Sequence, residues 1–88
     1  MPKKSKDKLT DHQIEIGAKY LTMSNLGQLR GEPTSEKNVI REYQRCEMNH
    51  EMEGIDITDE YKHWVKVLKK RDQWTIDQVK LRLPFLFI

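Results

Sequence analysis

The sequence predicts an all-α protein: a small bundle of three helices and a short fourth helical segment, with a flexible basic N-terminal arm and an extended apolar C-terminal tail. Three observations predict this fold class. Apolar residues recur at helical spacing, helix-capping residues precede these segments, and stretches containing glycine or proline separate them. A chain of 88 residues has room for one small domain, which we assign to residues 9–88.

Composition and charge predict a thin core under a charged exterior, with 36% apolar and 34% charged residues. The charge falls in blocks: a lysine-rich arm at residues 1–8, an acidic stretch at 42–60 interrupted only by Arg45, and a basic stretch at 62–71. The single cysteine, Cys46, favours a reducing compartment. Neither a secretory signal nor a membrane span is evident, so we expect a cytoplasmic, nuclear or virion location.

The first helix is predicted over residues 11–25. Thr10 and Gln13 have the spacing of a capping box, in which each side chain satisfies a free backbone amide near the other residue. Leu9, before the cap, is placed to pack on Ile14 as a hydrophobic staple.

The second helix is predicted over residues 35–53, after a breaker segment at residues 25–33. Thr34 or Ser35 caps its start, and Gly54 suits the left-handed residue that follows a helix. Its apolar face comprises Val39, Ile40, Tyr43 and Cys46.

The third helix is predicted over residues 59–71, with Thr58 as its cap. Positive charge in the last turn suits the C-terminal end of the helix dipole. The single-face pattern at i, i+3, i+4 and i+7 consists of Tyr61, Trp64, Val65 and Leu68.

A short fourth helix is predicted over residues 76–83, followed by the extended tail. Thr75 and Gln78 have capping-box spacing, and Trp74 is placed to staple onto Val79. A strand is the alternative, although a lone strand would have nothing to pair with in a helical chain. That alternative depends on an alternation of apolar residues at Val79, Leu81, Leu83, Phe85 and Phe87.

No pattern of catalytic residues, phosphate loop or calcium loop is present in the sequence, so we expect neither enzymatic activity nor a cofactor. Cys46 and His50 stand four residues apart and could supply half of a zinc site. Because a closed site needs four ligands, we expect a semi-buried cysteine, a solvated histidine and no metal.

The final six residues, LPFLFI, allow two interpretations. They either complete the core or insert into the groove of a partner as an apolar anchor. The segment resembles the hydrophobic C-terminal tails with which some phage transcription accessory proteins reach a sliding clamp. Those tails usually carry an acidic residue, whereas Lys80 and Arg82 precede the aromatic residues here. The candidate partner-binding residues are Trp64, Trp74, Leu83, Phe85, Leu86, Phe87 and Ile88.

Basic residues of the arm and of the third helix could contact phosphates, although lysines opposite an apolar face also occur simply as the solvated side of a helix. The candidate nucleic-acid-binding residues are Lys3, Lys4, Lys6, Lys62, Lys66, Lys69, Lys70 and Arg71.

These observations favour a small non-enzymatic adaptor or regulatory protein that binds a larger transcription or replication machine through its C-terminal segment and a basic helix face. A nucleic-acid-binding protein is the first alternative, and a homo-oligomeric structural component, such as a virion protein, is the second. The three functions imply different partners: another protein for the adaptor, a nucleic acid for the first alternative, and a second copy of the chain for the second.

Overall fold

The computed structural model describes residues 9–87, and within that range the chain is helical and contains no strand. The predicted all-α fold class is confirmed. The residues 1–8 of the predicted arm and Ile88 lie outside the described residues. The elements, in order, are α1 (Asp11–Asn25), α2 (Glu36–Met52), α3 (Thr58–Lys69), α4 (Gln73–Arg82) and a 3-10 helix (Pro84–Phe87).

The first helix, α1, is the central element of the bundle. α2 and α3 both pack along it, so α1 is covered on more than one side and lacks the single apolar stripe of a surface helix. Its buried residues are Ile14, Ile16, Gly17, Ala18, Tyr20, Leu21, Thr22 and Met23.

Side-chain contacts fix the directions of the two neighbouring helices. His12 Nε2 lies 2.8 Å from a carboxylate oxygen of Glu36, and Lys19 Nζ lies 5.5 Å from the centre of the Tyr43 ring. The contact nearer the start of α1 is made by a residue near the start of α2, and the later residue of α1 contacts a later residue of α2. The two helices therefore run parallel. In contrast, the end of α1 meets the start of α3, because Asn25 donates a hydrogen bond to Glu60. α3 therefore runs antiparallel to α1.

Gly17 lies where α1, α3 and α4 come together. A Cβ atom at this position would lie 3.0 Å from Cδ1 of Leu68 and 3.8 Å from Cγ1 of Val79. Both of these partners are fully buried. Glycine lowers the intrinsic stability of a helix, but here its missing side chain allows the three helices to pack closely.

The start of α1 agrees with its prediction. The Thr10 hydroxyl accepts a hydrogen bond from the Gln13 amide at 3.1 Å, and Gln13 Oε1 accepts one from the Thr10 amide at 2.8 Å. The capping box is confirmed. The side-chain amide of Gln13 also donates to the carbonyl of Leu86, and this bond joins the start of α1 to the C-terminal segment.

The predicted starts of α3 and α4 were wrong. The α3 cap position is Ile57, which makes no side-chain capping bond, and Asp56 Oδ1 before it accepts from the Thr58 amide at 2.9 Å. α4 begins at Gln73, where Asp72 Oδ2 accepts from both the amide and the hydroxyl of Thr75. A carboxylate is a strong helix cap, so at α4 Asp72 takes the place assigned to the Thr75 hydroxyl.

The predicted Trp74–Val79 staple follows from the same wrong start. Trp74 lies in the first turn of α4 with 66% of its surface exposed, whereas Val79 is fully buried. The two side chains therefore point to different sides of the helix. α1 ends at Asn25 as predicted, and the other helix ends differ from their predictions by one or two residues, with α2 over Glu36–Met52, α3 ending at Lys69 and α4 ending at Arg82.

The C-terminal segment folds as a 3-10 turn where an extended tail was expected. The amide of Leu86 donates to the carbonyl of Leu83 at 3.0 Å, which closes the turn around Pro84. Leu83 is fully buried and Leu86 is 6% exposed. Phe85 and Phe87 are partly buried against the core. The segment therefore packs on its own bundle, and a strand over these residues is excluded.

Candidate functional site

Two tryptophans predicted to bind a partner come together at one groove of about 270 Å³. Trp64 reaches it from α3 and Trp74 from α4, and the end of α1 forms the third side. We call this site the tryptophan groove; it is lined by Leu21, Ser24, Asn25, Trp64, Trp74, Thr75, Gln78 and Arg82.

The Trp64 ring is held in place by a shared carboxylate. Glu60 Oε2 accepts a hydrogen bond from Trp64 Nε1 at 3.3 Å and from Asn25 Nδ2 at 2.6 Å. Trp64 is also partly buried against the core, and the His63 ring meets it edge-on with centres 5.1 Å apart. Trp64 therefore forms a rigid wall of the groove.

Trp74 presents most of its surface to solvent, with 66% exposed. Leu81 lies seven residues later on α4 and is also 66% exposed. Since residues at i and i+7 share one helix face, the two side chains form an apolar outer strip on α4. Exposed apolar residues scattered singly are normal, but two on one face beside a groove mark a candidate contact surface.

A positive charge is fixed at the wall of the tryptophan groove. The Arg82 guanidinium donates to the side-chain oxygen of Gln78 at 2.7 Å and to its backbone oxygen at 3.4 Å. These bonds hold the guanidinium beside the two tryptophans without neutralising it. The site is therefore suited to an apolar segment that carries an acidic group.

The basic residues of α3 and its C-terminal end are exposed to solvent. Among residues 9–87 there are four ion pairs, and none of them includes these side chains. Their charge is therefore available to an anionic partner. Arg71 ends the stretch with a positive φ of 54°, the left-handed conformation that turns the chain toward α4. We define the basic face as Lys62, Lys66, Lys69, Lys70 and Arg71.

The remaining predicted partner-binding residues lie away from the tryptophan groove. Leu83 and Leu86 belong to the core, so neither offers a surface in this conformation. Phe85 and Phe87 are half covered by the core, and Lys80 Nζ lies 5.5 Å from the centre of the Phe87 ring. Four further predicted residues lie outside the described part of the chain: Lys3, Lys4, Lys6 and Ile88.

Sequence reasoning missed Arg82, which lines the tryptophan groove, and Leu81, which lies beside the groove on the exposed face of α4. The predicted helix over residues 76–83 includes both, but the strand-like alternation was the competing interpretation and neither residue was predicted to bind a partner. The signal that would have found them was the helical spacing from Trp74, because Leu81 follows at i+7 and Arg82 at i+8.

Cys46 and His50 lie on successive turns of α2. Cys46 is 1% exposed, and burial, with a smaller effect of Glu47, raises the pKa of its thiol. The thiol therefore stays protonated and a poor nucleophile near neutral pH. Within residues 9–87, no three histidine, cysteine or carboxylate side chains are grouped as a metal site would require.

No helix among residues 9–87 combines the length and the apolar composition needed to cross a membrane. Comparisons with protein-family models, with curated proteins and with solved structures found no match to this chain. The candidate function therefore depends on the geometry of the surface alone.

Proposed function

We propose that this chain is a small non-enzymatic adaptor that binds a larger macromolecular assembly through the tryptophan groove. The observation that carries the proposal is the position of Trp74, which is 66% exposed beside the fixed ring of Trp64. Tryptophan and arginine are the residue types that contribute most at protein interfaces. Here both types line one groove.

Covering Trp74 would make a substantial contribution to the free energy of binding a partner. An aromatic side chain presents about 150–250 Å² of surface. Covering the exposed two-thirds of Trp74 would therefore contribute about 2.5–4 kcal/mol at roughly 25 cal/mol per Å². Arg82 and the nearby basic face would favour a partner segment that combines an apolar anchor with acidic residues.

The test is affinity capture from the native host with the wild-type chain and two variants. Trp74→Ala removes the exposed ring, and Arg41→Ala is a matched control at an exposed position on α2. We expect a protein that the wild type and Arg41→Ala retain and that Trp74→Ala loses, with unchanged helical circular dichroism in all three. If Trp74→Ala retains every captured protein, the proposal fails.

A nucleic-acid-binding function is the second candidate. The exposed basic face favours it, because its side chains take part in none of the four ion pairs among residues 9–87. The test is a gel shift at several salt concentrations with Lys62, Lys66 and Lys69 changed to glutamate. Binding through phosphates should weaken steeply with salt and disappear in the triple variant. The control changes Lys37 and Arg41, two exposed basic residues of α2, to glutamate. Binding that ignores salt or survives the triple variant would reject this candidate.

A homo-oligomeric structural component remains the third candidate, and sedimentation at several protein concentrations separates it from an adaptor. A monomer at all concentrations would exclude it.

The single buried cysteine further favours a reducing compartment, such as the cytoplasm, as the place where the adaptor acts.

A further inference from the structure

A second groove, of about 580 Å³, lies between the last two turns of α2 and the start of α3. It shares no lining residue with the tryptophan groove. Ile57, which is 7% exposed, lies at its base. We call this site the methionine groove, and the lining residues used below are Glu47, Met48, Glu51, Ile55, Asp56 and Ile57.

Three large apolar side chains beside the methionine groove are left exposed by the described part of the chain. Met48 is 57% exposed, Met52 79% and Ile55 49%. They are three of the five large hydrophobic side chains that are exposed among residues 9–87. Met48 and Met52 stand four residues apart on α2, beyond Cys46, the last buried residue of that helix. The end of α2 therefore presents an apolar face that nothing in the described chain covers.

The rim of the methionine groove is acidic. Three carboxylates line it, those of Glu47, Glu51 and Asp56, and residues 47–60 contain neither lysine nor arginine. Among residues 9–87, Glu47 and Glu51 take part in none of the four ion pairs. Asp56 is held at the rim by its hydrogen bond from the Thr58 amide. Hydrogen bonds from Thr58 and, to a smaller extent, the charge of nearby Lys62 lower the pKa of Asp56. Negative charge therefore lies beside the exposed apolar side chains.

We propose that the methionine groove docks a basic amphipathic helix of a partner protein. Such a helix would place apolar residues against Met48 and Ile55 and its lysines or arginines against Glu47 and Glu51. Methionine is unbranched and polarizable, so it adapts to apolar side chains of different shape. This docking is independent of the tryptophan groove and would allow one chain to hold two partners.

Two other occupants fit less well. The basic face of a second copy has lysines outside, but the apolar side of the same helix, including Leu68, is packed into its own core. α3 alone therefore cannot offer lysines and apolar anchors together. A second copy could do so only from α4, through Trp74 and Leu81 beside the basic face, and self-association of the wild type would reveal that contact. The arm at residues 1–8 of this chain carries four lysines but has no apolar residue between Pro2 and Lys8. The arm could therefore pair with the carboxylates of the groove but has no side chains to cover its apolar residues.

The test uses fluorescence anisotropy with a labelled model peptide of leucines and lysines at helical spacing. A peptide of the same composition with scrambled order is the probe control. We expect the helical peptide to bind and the scrambled peptide to bind at least about tenfold more weakly, a difference of roughly 1.4 kcal/mol. Equal binding of both peptides would overturn the proposal, because charge alone would then explain it.

A matched pair of charge reversals locates the binding. Changing Glu47 and Glu51 to lysine should weaken the helical peptide at least about tenfold, since close charge pairs across an interface each contribute roughly 1 kcal/mol or more. Changing Glu32 and Asp77 to lysine alters the net charge equally, away from the groove, and should leave the affinity unchanged. An equal loss in both double variants would overturn the proposal.

Three further outcomes are decisive. Trp74→Ala should leave the peptide affinity unchanged, and a loss there would overturn the independence of the two grooves. Self-association of the wild type that the Glu47/Glu51 reversal abolishes would identify a second copy as the occupant and overturn the proposal. Peptide binding that occurs only after residues 1–8 are deleted would identify the chain's own arm as the occupant of the groove, and this result would also overturn the proposal.

Discussion

Leu86 and Leu81 provide a direct test of whether the C-terminal segment is part of the core. They are the same residue type, five positions apart, yet Leu86 is 6% exposed and Leu81 is 66% exposed. Leu86→Ala should cost about 2–3 kcal/mol, the lower part of the range for buried leucines. Leu81→Ala should cost only about 0.5 kcal/mol, because most of its surface already faces water.

The stability lost in Leu86→Ala would be a large fraction of the total free energy of unfolding. An 88-residue domain at roughly 0.05–0.15 kcal/mol per residue has a free energy of unfolding of about 4–13 kcal/mol. Urea unfolding followed by circular dichroism measures both variants against the wild type. Equal losses for the two variants, or a loss at Leu86 below about 1 kcal/mol, would refute the assignment of this segment to the core.

Three more predictions concern the helix ends and use the same unfolding assay. Thr10→Ala should cost about 1 kcal/mol by breaking the capping box with Gln13, and an unchanged midpoint would contradict that role. Arg71→Gly should stabilise the chain by roughly 0.5–1 kcal/mol, because glycine adopts positive φ without strain; destabilisation would count against this. Hydrogen bonds from the side chain and the backbone amide of Thr58 lower the pKa of Asp56. Asp56→Ala should therefore destabilise the chain at neutral pH, and its difference from the wild type should vanish as the pH falls through that lowered pKa; a difference that persists in acid would exclude this cause.

The fold class could be predicted from the sequence because local signals agreed with the packing. The start of α1 was correct to the residue, since Thr10 and Gln13 satisfy each other without help from the rest of the fold. The start of α4 was misplaced because two capping residues competed, and the pattern alone did not rank the Asp72 carboxylate above the Thr75 hydroxyl. The start of α3 was misplaced by one residue, because its cap position, Ile57, carries no capping side chain to mark it.

The candidate site was predicted less completely. Trp64 and Trp74 were identified from residue type, but their meeting at one groove depends on how α3 and α4 cross α1. Such an arrangement is set by packing at Gly17 and its neighbours, which no local pattern encodes. The aromatic residues of the C-terminal segment were assigned to a partner because residue type does not distinguish a core anchor from an interface anchor. Burial of Leu83 and Leu86 makes that distinction here.

The side chain of Gln13 has a consequence for how the chain opens. One amide group accepts from the Thr10 backbone and donates to the Leu86 carbonyl, so a single side chain ties two segments 73 residues apart in sequence. Release of either segment breaks the support of the other. In native-state hydrogen exchange, we therefore expect the first turn of α1 and the final 3-10 turn to open together with one shared free energy. Segments of this kind would otherwise fray separately.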